Sequence, residues 1–487
     1  MSEPETPTQS PSLLKGFLKR IGLVIAGVVL VAVVLLWPLI SNHPVDYADI
    51  EDHFKYGSIG SEPVTGIPYW IWRVLPEMFS DKLPGKGYQS LGFLYEPGKD
   101  MPIGFSKRKV FIDRVGLNCA VCHTGTVRDT PTSEHQIITT MPSNNLDLEK
   151  YGQFLSAAAL DERFTPKRMI PEIEKIGHLN FIEKLVYRYL AIPQTRDALI
   201  TQGYRLSFLE RQPDWGLGRV DTFNPYKSIQ FHFPMAKLDD KEIIGIADLP
   251  PIWNQKPRQG LQLHWDGDNT SVEERNKSAA LGAGVTPTTL DIDRLKRIED
   301  WLLDLKAPAY PYPVNQTLAA TGERIYQNNC ASCHAFGGSY TGKVTPIQEI
   351  GTDRHRLDSY TYELLSNQNT LYAGYPWRFK NFRKTNGYAN MPLDGVWLRA
   401  PYLHNGSVPT LRDLLEKPED RSKEFYRGYD VFDPKNVGFV SDVAEENGKQ
   451  FFKFDTTLPG NSNSGHLYGT ELSSEEKDAL VEYMKQL

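Results

Sequence analysis

The sequence predicts a mainly α fold: two small domains in tandem, with helical insertions, after one N-terminal transmembrane helix. Three observations predict it. Residues 21–40 form a twenty-residue run without a charge. All four cysteines fall into two copies of one short pattern, 211 residues apart. Apolar residues around the second copy recur at helical spacing.

The run Ile21–Ile40 comes first. At 1.5 Å rise per residue it spans a hydrocarbon core of about 30 Å. Lys15, Lys19 and Arg20 precede it, and Asp46, Asp49, Glu51 and Asp52 follow it. The basic flank is expected to stay in the cytoplasm, so that the rest crosses. A cleaved signal peptide is the rival reading. The run is long for one, and Leu36-Trp37-Pro38 is no small-residue cleavage site. The expectation is therefore a cytoplasmic tail (1–20), a single-pass anchor in a bacterial inner membrane (21–40), and the remainder in the periplasm.

With 487 residues, the chain has room for two or three domains. Its 60 acidic and 54 basic residues give a net charge of −6, which argues against nucleic acid as a partner. Hydrophobic residues make up 40%, and 24 Tyr, 22 Phe and 9 Trp suit large apolar pockets as well as ordinary core.

The cysteine pattern is Cys119-Ala-Val-Cys122-His123 and Cys330-Ala-Ser-Cys333-His334. Cys-x-x-Cys-His is the attachment pattern for c-type haem, with two thiols for the porphyrin vinyl groups and a histidine for the iron. Zinc sites bring their pairs within about 15–20 residues, and a thioredoxin-like motif would occur once. Two covalently bound haem c groups are expected, attached outside the cytoplasm.

In the second domain, Leu318, Ala319, Ile325 and Tyr326 suit a helix that delivers Cys330. Ser473 and Glu476 form a capping box before a terminal helix with apolar positions 479, 480, 483, 484 and 487. Helix, haem motif, loops and helix make a cytochrome c-like domain over 315–487. Prolines 308, 311 and 313 make 307–314 a linker. Residues 45–306 form the first haem domain. It is closed by a helix near 290–305 and holds helical insertions near 146–160 and 178–211. No strand-rich region is expected.

The axial ligand opposite each histidine decides between electron transfer and chemistry. For the second haem the candidates are Met391, His404, His466, His355 and Met484. His466 lies in the loop entering the terminal helix, where a small cytochrome c carries its sixth ligand. For the first haem no comparable ligand stands out among His135, Met141 and His178. The segment Leu261-Gln-Leu-His264-Trp265-Asp266-Gly267, near Trp253-Asn254, is a polar knot with two tryptophans. His264 is a candidate distal acid–base, and Trp265 or Trp253 a candidate electron relay. A structural turn is the rival reading.

The segment Arg399-Ala-Pro-Tyr-Leu-His404-Asn-Gly-Ser-Val-Pro-Thr-Leu411 resembles the signature loop of the dihaem cytochrome c peroxidase superfamily. That superfamily includes bacterial peroxidases, the tryptophan-tryptophylquinone maturation enzyme and the rubber oxygenases. Gly465-His466-Leu-Tyr-Gly-Thr470 and the stretch from His264 to Gly284 resemble the rubber-oxygenase-like branch most. The resemblance implies a reactive N-terminal haem on His123 and a closed, bis-histidine haem on His334 and His466. No methionine stands near Pro418, where the classical peroxidase pattern would want one. The expected function is a haem-dependent oxidoreductase supplied by a small cytochrome c or cupredoxin. Peroxide reduction is preferred, with oxygenation of an apolar alkene or lipid, or pure electron transfer, as alternatives.

Overall fold

The computed structural model describes residues 19–27 and 42–487. Residues 19–27 are helical. Most of the expected anchor, from residue 28 onward, lies outside the described residues. Among the described residues no helix is long and apolar enough to cross a membrane.

The fold is mixed rather than mainly α, with 41% helix and 13% strand. Strand was missed because buried polar residues interrupt its apolar pattern. The hairpin Phe105–Val110 and Ile112–Leu117 centres a four-stranded sheet, flanked by Asn42–Pro44 and Ile67–Pro68. Its buried positions include Ser106, bonded to Glu62, and Arg108, paired with Asp291 at 2.8 Å. Alternation of apolar and polar residues, the usual mark of a half-buried strand, is therefore absent. The other sheets are two-stranded and short.

The helical insertions are present but broken. Leu148–Leu160 starts at Asp147, whose carboxylate accepts the Lys150 amide at 2.9 Å. It packs against Ile192–Arg205. The stretch expected near 178–211 divides into Phe181–Val186, a π-helical turn Tyr187–Ala191, and Ile192–Arg205. Pro193 has no amide proton for the carbonyl four residues back, which fits the widened turn before it. Pro166–Ile176 adds a helix despite an internal Pro171. Ile292–Asp304 matches the expected closing helix, and residues 305–315 carry no regular structure, as the prolines require.

Two helices frame the second motif. Gln316–Asn329 packs face to face with Ser474–Met484. Contact is close because residue 322 is glycine: a Cβ there would lie 1.8 Å from the Ala479 carbonyl oxygen. The capping box forms as expected, Ser473 accepting the Glu476 amide at 3.2 Å and Glu476 accepting the Ser473 amide at 2.9 Å. One apolar core crosses the 307–314 segment, joining Val127, Met141 and Trp253 to Trp397, Val408 and Leu480.

Candidate functional site

Each Cys-x-x-Cys-His motif sits on a short turn set by local hydrogen bonds. In the first, the Asn118 side chain accepts the Ala120 amide at 3.0 Å and donates to the Gly57 carbonyl at 3.0 Å. This stops the strand and starts the turn Cys119–Val121. In the second, Gln316–Asn329 runs into Cys330, and the His334 amide bonds the Cys330 carbonyl at 2.9 Å.

The two motif histidines are held alike. His123 Nδ1 donates to the Pro250 carbonyl at 2.8 Å, and His334 Nδ1 donates to the Met391 carbonyl at 2.7 Å. A carbonyl on Nδ1 fixes the tautomer and leaves Nε2 as the ligating atom. Burial lowers both imidazoles, His123 to about 4, so each ring is neutral. Burial also pushes the Cys119, Cys122 and Cys330 thiols up to about 12. Such thiols are poor thiolates, which argues against dithiol redox use.

The histidines differ in what stands opposite. The His334 and His466 rings lie 6.2 Å apart, centroid to centroid. An imidazole nitrogen sits about 2.0–2.1 Å from a bound metal and roughly 1.1 Å from its ring centre, so two axial histidines span about 6.3 Å. The gap therefore fits an iron between them. His466 Nδ1 is buried with no hydrogen-bond partner, and burial lowers its imidazole to about 3, with His334 and Arg421 adding to the effect. The loop is locked in place. Its His466 amide bonds the Ile350 carbonyl at 2.8 Å, and Arg421 donates to the Gly465 and His466 carbonyls at 2.9 and 3.3 Å. Opposite His123, no second imidazole ring stands at stacking distance among the described residues.

The other ligand candidates have structural work. His404 is buried, stacked on Tyr388 at 4.0 Å, and bonded through Nε2 to the Tyr388 hydroxyl at 2.9 Å. His355 bonds Asp353 at 2.8 Å, and Met484 lies in the core. Met391 contributes its backbone carbonyl on the far side of His334. Near the first motif, Met141 is core and His135 bonds Asp430 at 2.6 Å.

The knot at 264–265 splits in two. His264 has φ +61° and bonds Asp268 at 2.6 Å, with its ring 6.1 Å from Phe382. Phe382 belongs to the apolar cluster that also holds Cys119. Trp265 instead packs with Ile347, Ile350, Leu357 and Tyr388, beside the loop that carries His466. The tryptophan that links the two motifs is Trp253. Three residues after Pro250, it donates Nε1 to the Asp394 carbonyl at 3.1 Å, and Asp394 follows Met391 by three residues. Arg258 and Arg399 pair with Asp394. The Pro250 carbonyl, Arg421 and Asp394 were not singled out in the sequence. A Pro-Pro pair at 250–251, with carbonyls free of ladder duty, is the only signal that marks one of them.

The chain is 32% identical over 251 residues to the uncharacterized protein y4iM of Sinorhizobium fredii, covering 45% of this chain and 57% of that relative. It is 24% identical over 514 residues to the uncharacterized protein y4iJ of the same organism, covering 81% of this chain and 83% of that one. The chain thus spans little more than half the length of the first relative. Residues 387–427, which hold Met391, Asp394, His404 and Arg421, match the family model described as RoxA-like, cytochrome c-like. The likeness is to the rubber-oxygenase-like branch, not to the dihaem peroxidases at large, and it carries with it covalently bound haem c.

Proposed function

We propose that the chain is a membrane-anchored, dihaem c-type cytochrome oxidoreductase. The haem domains lie in the periplasm, and a small cytochrome c or cupredoxin supplies electrons. Cys119, Cys122 and His123 would hold one haem, which would supply peroxide or dioxygen chemistry. The other attaches to Cys330 and Cys333 between His334 and His466, and passes electrons. The observation that carries this reading is the asymmetry between the histidines. His334 faces His466 across 6.2 Å, while no imidazole faces His123 among the described residues. A haem held by His123 alone would supply binding and reduction of a small oxidant, and one held by His334 and His466 would supply storage of a single electron.

The chain's residues do the rest. The Pro250 and Met391 carbonyls draw on the Nδ1 protons and make both imidazoles stronger donors to iron. Trp253 lies on the short covalent and hydrogen-bonded route between the two histidines. Phe54, Ile103, Ile252 and Leu281 share the cluster of Cys119 and keep water from that side.

Peroxide reduction is the preferred reaction, because a closed haem beside an open one would supply the electrons that peroxide requires. Oxygenation of an apolar alkene or lipid is the second reading, supported by the RoxA-like match and the apolar cluster at Cys119. Electron paramagnetic resonance of the oxidised protein tests the whole. One high-spin and one low-spin haem are expected. Two haems that stay six-coordinate with protein ligands in every redox state would reduce the protein to an electron carrier. Turnover with hydrogen peroxide against dioxygen plus an alkene separates the two reactions.

A further inference from the structure

We propose that the face formed by Phe181, Ile182, Leu185, Tyr189 and Leu190 docks onto the surface of the anionic bilayer that holds the N-terminal run. The inference rests on reading residues 21–40 as a membrane anchor. It adds a second point of attachment, on the first haem domain itself.

The face is unusual for a soluble surface. Phe181 is 76% exposed, Ile182 57%, Leu185 40%, Tyr189 67% and Leu190 48%. Five large apolar side chains in ten residues, all on one short helical stretch, go beyond scattered surface hydrophobics. The stretch is firmly seated by its other side. Tyr187, Ala191 and Ile192 are buried in the core that holds Trp72 and Phe154. Exposure is thus a property of a well-packed element rather than of a frayed one.

Charge selects lipid as the occupant. The chain as a whole carries −6, which an anionic surface repels. Residues 163–205 run the other way, with eight Lys or Arg against four Asp or Glu. Arg188, exposed within the apolar stretch, has no ion-pair partner among the described residues. An apolar face with a basic surround and a tyrosine is the composition of an interfacial helix on anionic lipid.

Position supports the same occupant. Ile40 ends the uncharged run, and the strand Asn42–Pro44 begins two residues later. That strand leaves almost no tether, so an anchored chain holds its first domain against the bilayer. His43 pairs with Lys109, and Lys109 pairs with Asp113. At about 4.8 Å per strand, Asp113 lies roughly 10 Å from the entering chain. Phe111, at the turn of the same hairpin, packs in the same core as Tyr187 and Val186. The apolar stretch and the strand by which the chain enters the domain are therefore seated on one core.

The test uses the full chain reconstituted into lipid nanodiscs of phosphatidylcholine and phosphatidylglycerol. A nitroxide label is placed at Ile182→Cys, and a control label at Tyr362→Cys on the second domain, where the side chain is 74% exposed. Collision with oxygen is compared with collision with a water-soluble nickel chelate. The oxygen-to-nickel ratio is expected to be several-fold higher at 182 than at 362, and to fall when phosphatidylglycerol is omitted. Tyr189→Cys reads the same face should the first variant fail to mature. If the chain floats with the discs but 182 behaves like 362, the docking is wrong and the anchor stands. If the chain does not enter discs at all, the anchor reading fails and takes the proposal with it. If label 182 is shielded from both reagents in detergent, in proportion to protein concentration, the face binds a second copy and the lipid assignment is overturned.

Discussion

His466→Ala tests the division of labour between the two haems. The 6.2 Å between His334 and His466 leaves room for one iron bonded to both rings. On the proposed ligation, removing one ring would take away one bond to iron and nothing else that holds the haem, because Cys330, Cys333 and His334 remain. Three outcomes are expected. Haem content stays at two per chain. One low-spin signal of the oxidised protein becomes high-spin or water-ligated. Carbon monoxide titration of the reduced protein rises from one equivalent to two. The backbone at residue 466 has φ +47°, a left-handed conformation that costs a non-glycine residue about 1–2 kcal/mol. His466→Gly relieves that cost and leaves a hole of imidazole size. Added imidazole is expected to restore the low-spin signal in the glycine variant, which a merely structural histidine would not allow. An unchanged spectrum in both variants, with His404→Ala or Met391→Ala giving the spin change instead, would refute the assignment of His466.

Four further expectations follow from the packing. Cys119→Ala with Cys122→Ala is expected to leave one haem per denatured chain, as read by the pyridine haemochrome. Gly322→Ala places a methyl group against the Ala479 carbonyl and is expected to cost several kcal/mol, seen as loss of folded, haem-loaded protein. Trp253→Phe removes the Nε1 bond to the Asp394 carbonyl and is expected to slow electron transfer between the haems, measured by flash photolysis, with both absorption spectra unchanged. Glu149 is buried, and burial raises its carboxyl to about 7 despite the Trp215 amide. Because the folded value lies above the unfolded one, the advantage of the protonated form holds below about 4.5 and is lost as pH rises through 7. Glu149→Gln is therefore expected to gain on the order of 3 kcal/mol relative to the parent at pH 8 and to gain little at pH 4.5, by urea unfolding.

Where sequence and structure agree, the signal was local. Ser473 with Glu476, the prolines of 307–314 and the two Cys-x-x-Cys-His motifs each act within a few residues, so their geometry follows from spacing. His466, which stands across from His334, was marked in the sequence by its place before the capped helix. The hairpin 105–117 was missed because buried Ser106 and Arg108 interrupt its apolar pattern, and their partners Glu62 and Asp291 are distant in sequence. The helix Pro166–Ile176 was hidden by Pro171. His264 and Trp265 were read as one pocket because they are adjacent. The positive φ at His264 turns the chain there, and the two side chains join different clusters. Pro250 acts through a carbonyl, which every residue has, so no residue type announces it.

The segment that runs from Pro250 to Arg258 bears on how such a protein can be divided or recombined. Its carbonyl orients one motif histidine, its Trp253 side chain lies where a Cβ on Gly395 would come within 2.7 Å, and Arg258 reaches across to Asp394. A break in the proline-rich stretch 307–314 would thus not release two working halves. The C-terminal piece would expose the surface that Trp253 covers and leave Asp394 with Arg399 alone. A graft of residues 315–487 from a relative would meet a foreign Trp253 and Arg258 at its most buried edge. Any exchange of the second motif would have to carry residues 250–258 with it, two stretches far apart in the sequence.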